Sequence, residues 1–175
     1  MQLADFTAIA QECRESRFKF EAFRQDPIVV NLGWPDDVLE QWLYDHADKG
    51  TFLEDYGTVD PSRIRWDVEV VSADDLAEMP TGSSDRSCID EYAANPSHWI
   101  NVRKHGIHVG VDLCWNTHGT WKRWPILIDR TLLHPPGLGL QVVEGRTRVG
   151  VLKGRRREGN YVANNHLAWV GRVTF

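Results

Sequence analysis

Leu140-Gln141-Val142-Val143-Glu144-Gly145-Arg146-Thr147-Arg148-Val149-Gly150-Val151-Leu152 is the stretch that decides how this chain is read. An apolar strand runs into a carboxylate, a glycine and two arginines at the point where a helix can begin. A helix N-terminus leaves backbone N–H groups unpaired and carries a partial positive charge, so an anion placed there finds ready donors. Gly145 supplies the tight turn. Arg146 and Arg148 can add fork-shaped, charge-assisted bonds to phosphate oxygens, and the Thr147 hydroxyl can cap the helix or touch the ligand. An arginine in a first helical turn works against the dipole, which favours an anion beside Arg148, with a salt bridge to Glu144 or Asp129 as the alternative. Glu144 has two roles open to it. It can hold Mg2+ or act as a general base, or it can simply neutralise Arg146 or Arg148.

Upstream of the bend, Trp124-Pro125-Ile126-Leu127-Ile128-Asp129 reads as a second strand, joined to the first by the turn His134–Gly139. Just before it, Trp121 can stack on a base and Lys122 or Arg123 can reach phosphate, with core packing as the competing role for the tryptophan. Ile107, Val109, Val111 and Leu113 alternate and predict a strand, as do Ile64, Trp66, Val68 and Val70. Ala73–Leu76 turns into a short helix, residues 80–88 form a loop or a helix entry, and Ile89, Tyr92 and Ala93 give another short helix before Asn95-Pro96. His105, His108, Cys114 and His118 are of metal-ligating type, but their spacing fits no familiar zinc site and no metal is assigned to them. Lys153-Gly154-Arg155-Arg156-Arg157 reads as a solvated helix end or a weak contact for a nucleic-acid backbone. Leu167–Val170 forms a last apolar segment.

The beginning of the chain is different. Phe6, Ile9, Ala10, Cys13, Phe20 and Phe23 share one face of a helix spanning about Asp5–Phe23, and Asp26-Pro27 breaks it. After Ile28-Val29-Val30 and Gly33-Trp34-Pro35, Asp36-Asp37 caps a second helix carrying Val38, Leu39, Trp42, Leu43 and His46 and ending near Lys49-Gly50. The division is therefore a helical section over residues 1–62 and a strand-bearing domain over 63–175.

With 175 residues the chain can bury one sizeable core. It has no apolar run of the roughly 20 residues needed to cross a bilayer, and its first residues lack a secretory pattern. Cys13, Cys88 and Cys114 lie far apart, outside any CxxC pair, which suits reduced thiols in the cytoplasm. The net charge of −5 conceals a polarity, because residues 1–100 carry −13 and residues 101–175 carry +8. That polarity suits an anion-binding C-terminal half and an acidic half available to a protein partner, or else plain charge balance between packed layers.

The order strand, proline-led strand, turn, strand, then Glu144-Gly145-Arg146-Thr147-Arg148 resembles the ParB/sulfiredoxin-like superfamily. The likeness spans about residues 63–172 and is detailed over 124–152, where the bend is similar to the Asp-Gly-His-Thr-Arg loop of free-serine kinases. It implies an α/β (α+β) fold, a small mixed sheet with the helical section added to it. It also implies that Gly145, Arg146, Thr147 and Arg148 hold the phosphates of ATP or CTP with Mg2+. Glu144 replaces the kinases' aspartate and Arg146 their histidine, so a phosphotransferase or nucleotide hydrolase with Glu144 as its catalytic candidate is open but not implied. Arg146 stands where sulfiredoxins carry a catalytic cysteine, which argues against sulfinic-acid reduction, and it replaces the glutamate of the partition proteins' Gly-Glu-Arg-Arg. Two further roles follow from the resemblance. One is a noncatalytic regulatory or immunity-type module of a defence or mobile-element system, and the other is a ParB-like nuclease.

Overall fold

The computed structural model describes residues 1–102 and 104–174. Three Asx-Pro steps start helical turns along the chain. Asp26 accepts from the Ile28 N–H (2.9 Å), Asp60 from Ser62 (3.0 Å) and Asn95 from His98 (3.1 Å). In each case the proline occupies the first helical position, where a missing N–H costs nothing.

The helices of the first section are α1 (Thr7–Glu15), α2 (Lys19–Gln25), α3 (Pro27–Val30), α4 (Asp36–Val38) and α5 (Gly50–Tyr56), with a π-helical turn Leu39–Tyr44 continuing α4. The single helix expected over Asp5–Phe23 is instead two. Ser16 ends the first by donating its hydroxyl to the Cys13 carbonyl (2.8 Å) and accepting from the Lys19 N–H (3.1 Å), and Lys19 starts the second at φ 44°. A local Ser–backbone exchange has outcompeted helical continuity.

Then follow β1 (Ile64–Ser72), α6 (Ala73–Glu78), α7 (Cys88–Ala93), α8 (Pro96–Asn101), α9 (Val111–His118), β2 (Ile126–Asp129), β3 (Leu140–Glu144), α10 (Arg146–Arg157) and β4 (Asn165–Val173). The strand expected over Ile107–Leu113 is absent from the described structure. Gly106 and Gly110 take φ of 58° and 80°, a turn forms between them, and α9 starts at Val111. The alternation there never reflected burial, since Ile107, Val109 and Leu113 are all exposed.

The fold is α/β, with one four-stranded mixed sheet in the order β1-β4-β2-β3. β4 is thus an interior strand and β1 an edge. The chain resolves into two compact units whose boundaries fall within the strands. The first comprises Met1–Asp67, Ile128–Leu140 and the residues from Val170 onward. Its core is aromatic: Trp42 stacks on Trp34 at 5.9 Å and meets Trp66, Phe52 and Tyr56 edge-on at 5.7 Å each. A depression of about 240 Å³ opens beside this cluster, walled by Trp34, Pro35, Ile64 and Trp66.

The second unit comprises Val68–Leu127 and Gln141–Trp169 and is organised around α10. Gly150 and Gly154 lie one helical turn apart and let α7 approach without a gap. A Cβ on Gly150 would stand 2.4 Å from Tyr92 Cβ and 2.8 Å from the Ile89 carbonyl, and one on Gly154 would stand 2.5 Å from the Ala93 carbonyl. On the rest of the helix, Val149, Val151 and Leu152 are buried. The result is a helix start held firmly in place, and that start carries the bend.

Candidate functional site

Between β3 and α10 the chain turns on Gly145, at φ 93° and ψ 23°. Only glycine adopts this left-handed geometry without strain. Space demands it as well, because a Cβ here would lie 2.7 Å from Pro125 Cβ and 2.9 Å from Arg148 Nε. The Gly145 carbonyl accepts the first helical bond from Val149 (3.0 Å), and no side chain caps the start of this 12-residue helix. Thr147 is half-buried on that first turn and makes no capping bond.

The two arginines hold different kinds of partner. Arg148 donates from Nη1 to the main-chain carbonyls of Arg123 (3.0 Å) and Trp124 (3.2 Å), and from Nη2 to Glu144 Oε1 (3.0 Å). It buckles the segment leading into β2 onto the bend. Arg146 donates from Nη1 to the Val143 carbonyl (2.8 Å), while Nε (3.1 Å) and Nη2 both bond one oxygen, Oδ2, of Asp85. Glu144 Oε2 lies 3.7 Å from Arg146 Nη1, so this carboxylate sits between both guanidinium groups. Two cations and two anions share a cluster in which every member's side chain is 14–22 % exposed.

Asp85 is the site residue that sequence reasoning missed. It lies 61 positions before Arg146 on the short turn Ser83–Asp85, and no spacing rule joins the two. The Cys88 thiol points to its other oxygen at 3.8 Å. Burial pushes the Cys88 thiol up, the charges of Asp85 and Glu91 add to that, and Arg146 opposes it. This is a protonated, unreactive thiol at neutral pH.

Trp121, Lys122 and Arg123 are placed less favourably for a ligand. Trp121 is 5 % exposed, donates its indole N–H to the Leu167 carbonyl (2.8 Å) and packs against His166 and Trp115 at 4.5 and 6.1 Å. Its ring belongs to the core. Lys122 donates to the Val109 carbonyl (2.8 Å), holding the loop before α9, and Arg123 contributes its own carbonyl to Arg148. His166 is 2 % exposed, with Nδ1 2.8 Å from the Thr120 hydroxyl, and desolvation holds its pKa below the ordinary 6.5, so the ring is neutral.

The basic run at the end of α10 is also committed internally. Arg155 is buried over the Trp115 ring at 5.8 Å, Arg156 pairs with Asp74, Arg157 donates to the Ala93 carbonyl (2.5 Å), and Lys153 pairs with Asp90 (2.9 Å). Among the described residues, no three His, Cys, Asp or Glu side chains gather as a metal cluster, and no helix is long and apolar enough to cross a membrane.

No protein-family model matches the chain, and neither the curated proteins nor the solved structures hold a match to it.

Proposed function

We propose that the chain binds the phosphate groups of a nucleotide, ATP or CTP, at the bend between β3 and α10, and that it acts as a noncatalytic binding module. One observation carries this reading. An anion, the Asp85 carboxylate, is already seated on the guanidinium of the first residue of an uncapped helix. Phosphate is the natural exogenous counterpart of that carboxylate, and the backbone N–H groups of the first turn supply further donors. The resemblance of the bend to the phosphate loops of ParB/sulfiredoxin-like proteins points the same way.

Glu144 argues for binding over chemistry. Its oxygens face Arg148 at 3.0 Å and Arg146 at 3.7 Å, so the carboxylate is engaged by guanidinium groups and does not fit the role of a Mg2+ ligand or a general base. In this reading any Mg2+ accompanies the nucleotide. Three free cysteines suit the reducing cytoplasm.

Thermal denaturation with ATP, CTP, ADP and GTP, with and without Mg2+, tests the proposal. A ligand at a hundredfold excess over its Kd stabilises by about 2.7 kcal/mol, which raises Tm by roughly 5–10 °C for a chain of this size. The shift should vanish in Arg146→Ala, and no nucleotide should be turned over. Absence of a shift with every nucleotide would refute phosphate binding, and hydrolysis that depends on Glu144 would refute the noncatalytic role.

A further inference from the structure

We infer that Asp85 sets the affinity and selectivity of the bend: its carboxylate occupies the Arg146 fork when no ligand is bound, and a phosphate group binds by taking its place. This rests on the phosphate reading above and extends it to how the site is gated.

The two sides of Arg146 are unequal. Nη1 is tied to the Val143 carbonyl within the bend itself, whereas Nε and Nη2 converge on the single oxygen Oδ2 of a residue from a different segment. A fork of two N–H donors is best matched by two oxygens side by side, which a phosphate group offers and which Asp85 does not present in this pose, because its Oδ1 faces the Cys88 thiol. Exchange therefore gains one well-directed bond as well as charge. Arg148 has no comparable freedom, because its Nη1 is bound to two main-chain carbonyls.

The segment bearing Asp85 is built to let go. On one side it is anchored where Val142 N–H donates to the Pro80 carbonyl (2.8 Å) and Thr81 Oγ1 donates to the Val142 carbonyl (3.0 Å). On the other side α7 begins at Cys88 and packs on α10. Between these anchors Ser83, Arg86 and Ser87 are exposed, and the Asp85 N–H donates locally to the Gly82 carbonyl (3.1 Å). Release of the carboxylate breaks the bonds to Arg146 and to the Cys88 thiol and leaves the anchor at Pro80 and Thr81 in place. A tethered carboxylate also competes at high effective concentration, so free singly charged carboxylates are excluded while polyphosphates are admitted.

The test is calorimetric titration of the full chain with MgATP, with pyrophosphate and with acetate as the carboxylate control. Asp85→Asn should bind MgATP and pyrophosphate about tenfold tighter or more than the wild type, and the gain should disappear in Asp85→Asn/Arg146→Ala. Binding seen only in Asp85→Asn supports the inference equally. If the wild type binds and Asp85→Asn binds no better, the gating role is overturned while phosphate binding stands. If neither binds, both fall. Asp85→Ser replaces the asparagine variant should that fail to fold. In the wild type, saturating MgATP should speed amide hydrogen exchange at Asp85–Ser87, and slower exchange there would overturn the displacement.

Discussion

Arg148→Ala separates a buckle from a ligand grip. Removing the side chain deletes bonds to the Arg123 and Trp124 carbonyls and to Glu144, at 3.0, 3.2 and 3.0 Å. Bonds from a charged donor contribute about 1.5–3 kcal/mol when fully buried. Here the side chain is 20 % exposed, so solvent screens the cluster and each bond is discounted to about 1 kcal/mol. The sum is about 2–3 kcal/mol, or roughly 5–10 °C in Tm. Urea denaturation followed by tryptophan fluorescence measures it, with an unchanged m-value showing that the unfolding transition is otherwise the same. Arg148→Lys should recover only part of the loss, because an ammonium cannot span three acceptors in one plane. A loss below about 0.5 kcal/mol, accompanied by loss of nucleotide binding, would refute the structural role and return Arg148 to the ligand.

Gly150→Ala should destabilise by about 1–2 kcal/mol despite a helix-propensity gain of about 1, because the methyl would meet the α7 backbone and overpacking costs up to about 3; a raised urea midpoint would contradict the close approach. His166 should make stability fall in acid. Its pKa is depressed in the fold, so the unfolded chain takes up a proton that the buried ring refuses, and stability present above pH 6.5 is lost as the pH drops towards the folded value. The slope is at most about 1.4 kcal/mol per pH unit, and His166→Asn should flatten the urea midpoint between pH 7.5 and 5.5 by that proton's share; an unchanged slope would count against it.

Where burial and periodicity agree, the sequence was a sufficient guide. β3 follows from apolar patterning and the start of α10 from Gly145 and the residues around it, whereas in β1 the alternation matches burial at Ile64 and Trp66 but not at Val68 and Val70, which are exposed. Patterning failed where exposed apolar residues happened to alternate, as at Ile107, Val109 and Leu113, and there the glycines at 106 and 110 held the better signal. α3 and α8 are hidden from a reading that takes Asp26-Pro27 and Asn95-Pro96 as breaks, although each pair forms an N-cap followed by a first-turn proline. The bend itself was legible as a local motif, since turn, charge and helix start lie within a few residues. What fills it was not. Asp85 reaches Arg146 only through the tertiary placement of α7 against α10, which no short-range pattern encodes.

The position of β4 between β1 and β2 bears on how the protein is made. The strand translated last of the four is a central one, so the earlier strands leave the ribosome with an unsatisfied ladder between them. Until Asn165–Val173 emerges, β1 has no neighbour in the sheet and its edge stays open to other nascent chains. Completion of the sheet is therefore late, after β2 and β3 can already pair, and shortening this chain within β4 removes the keystone of the sheet instead of trimming its margin.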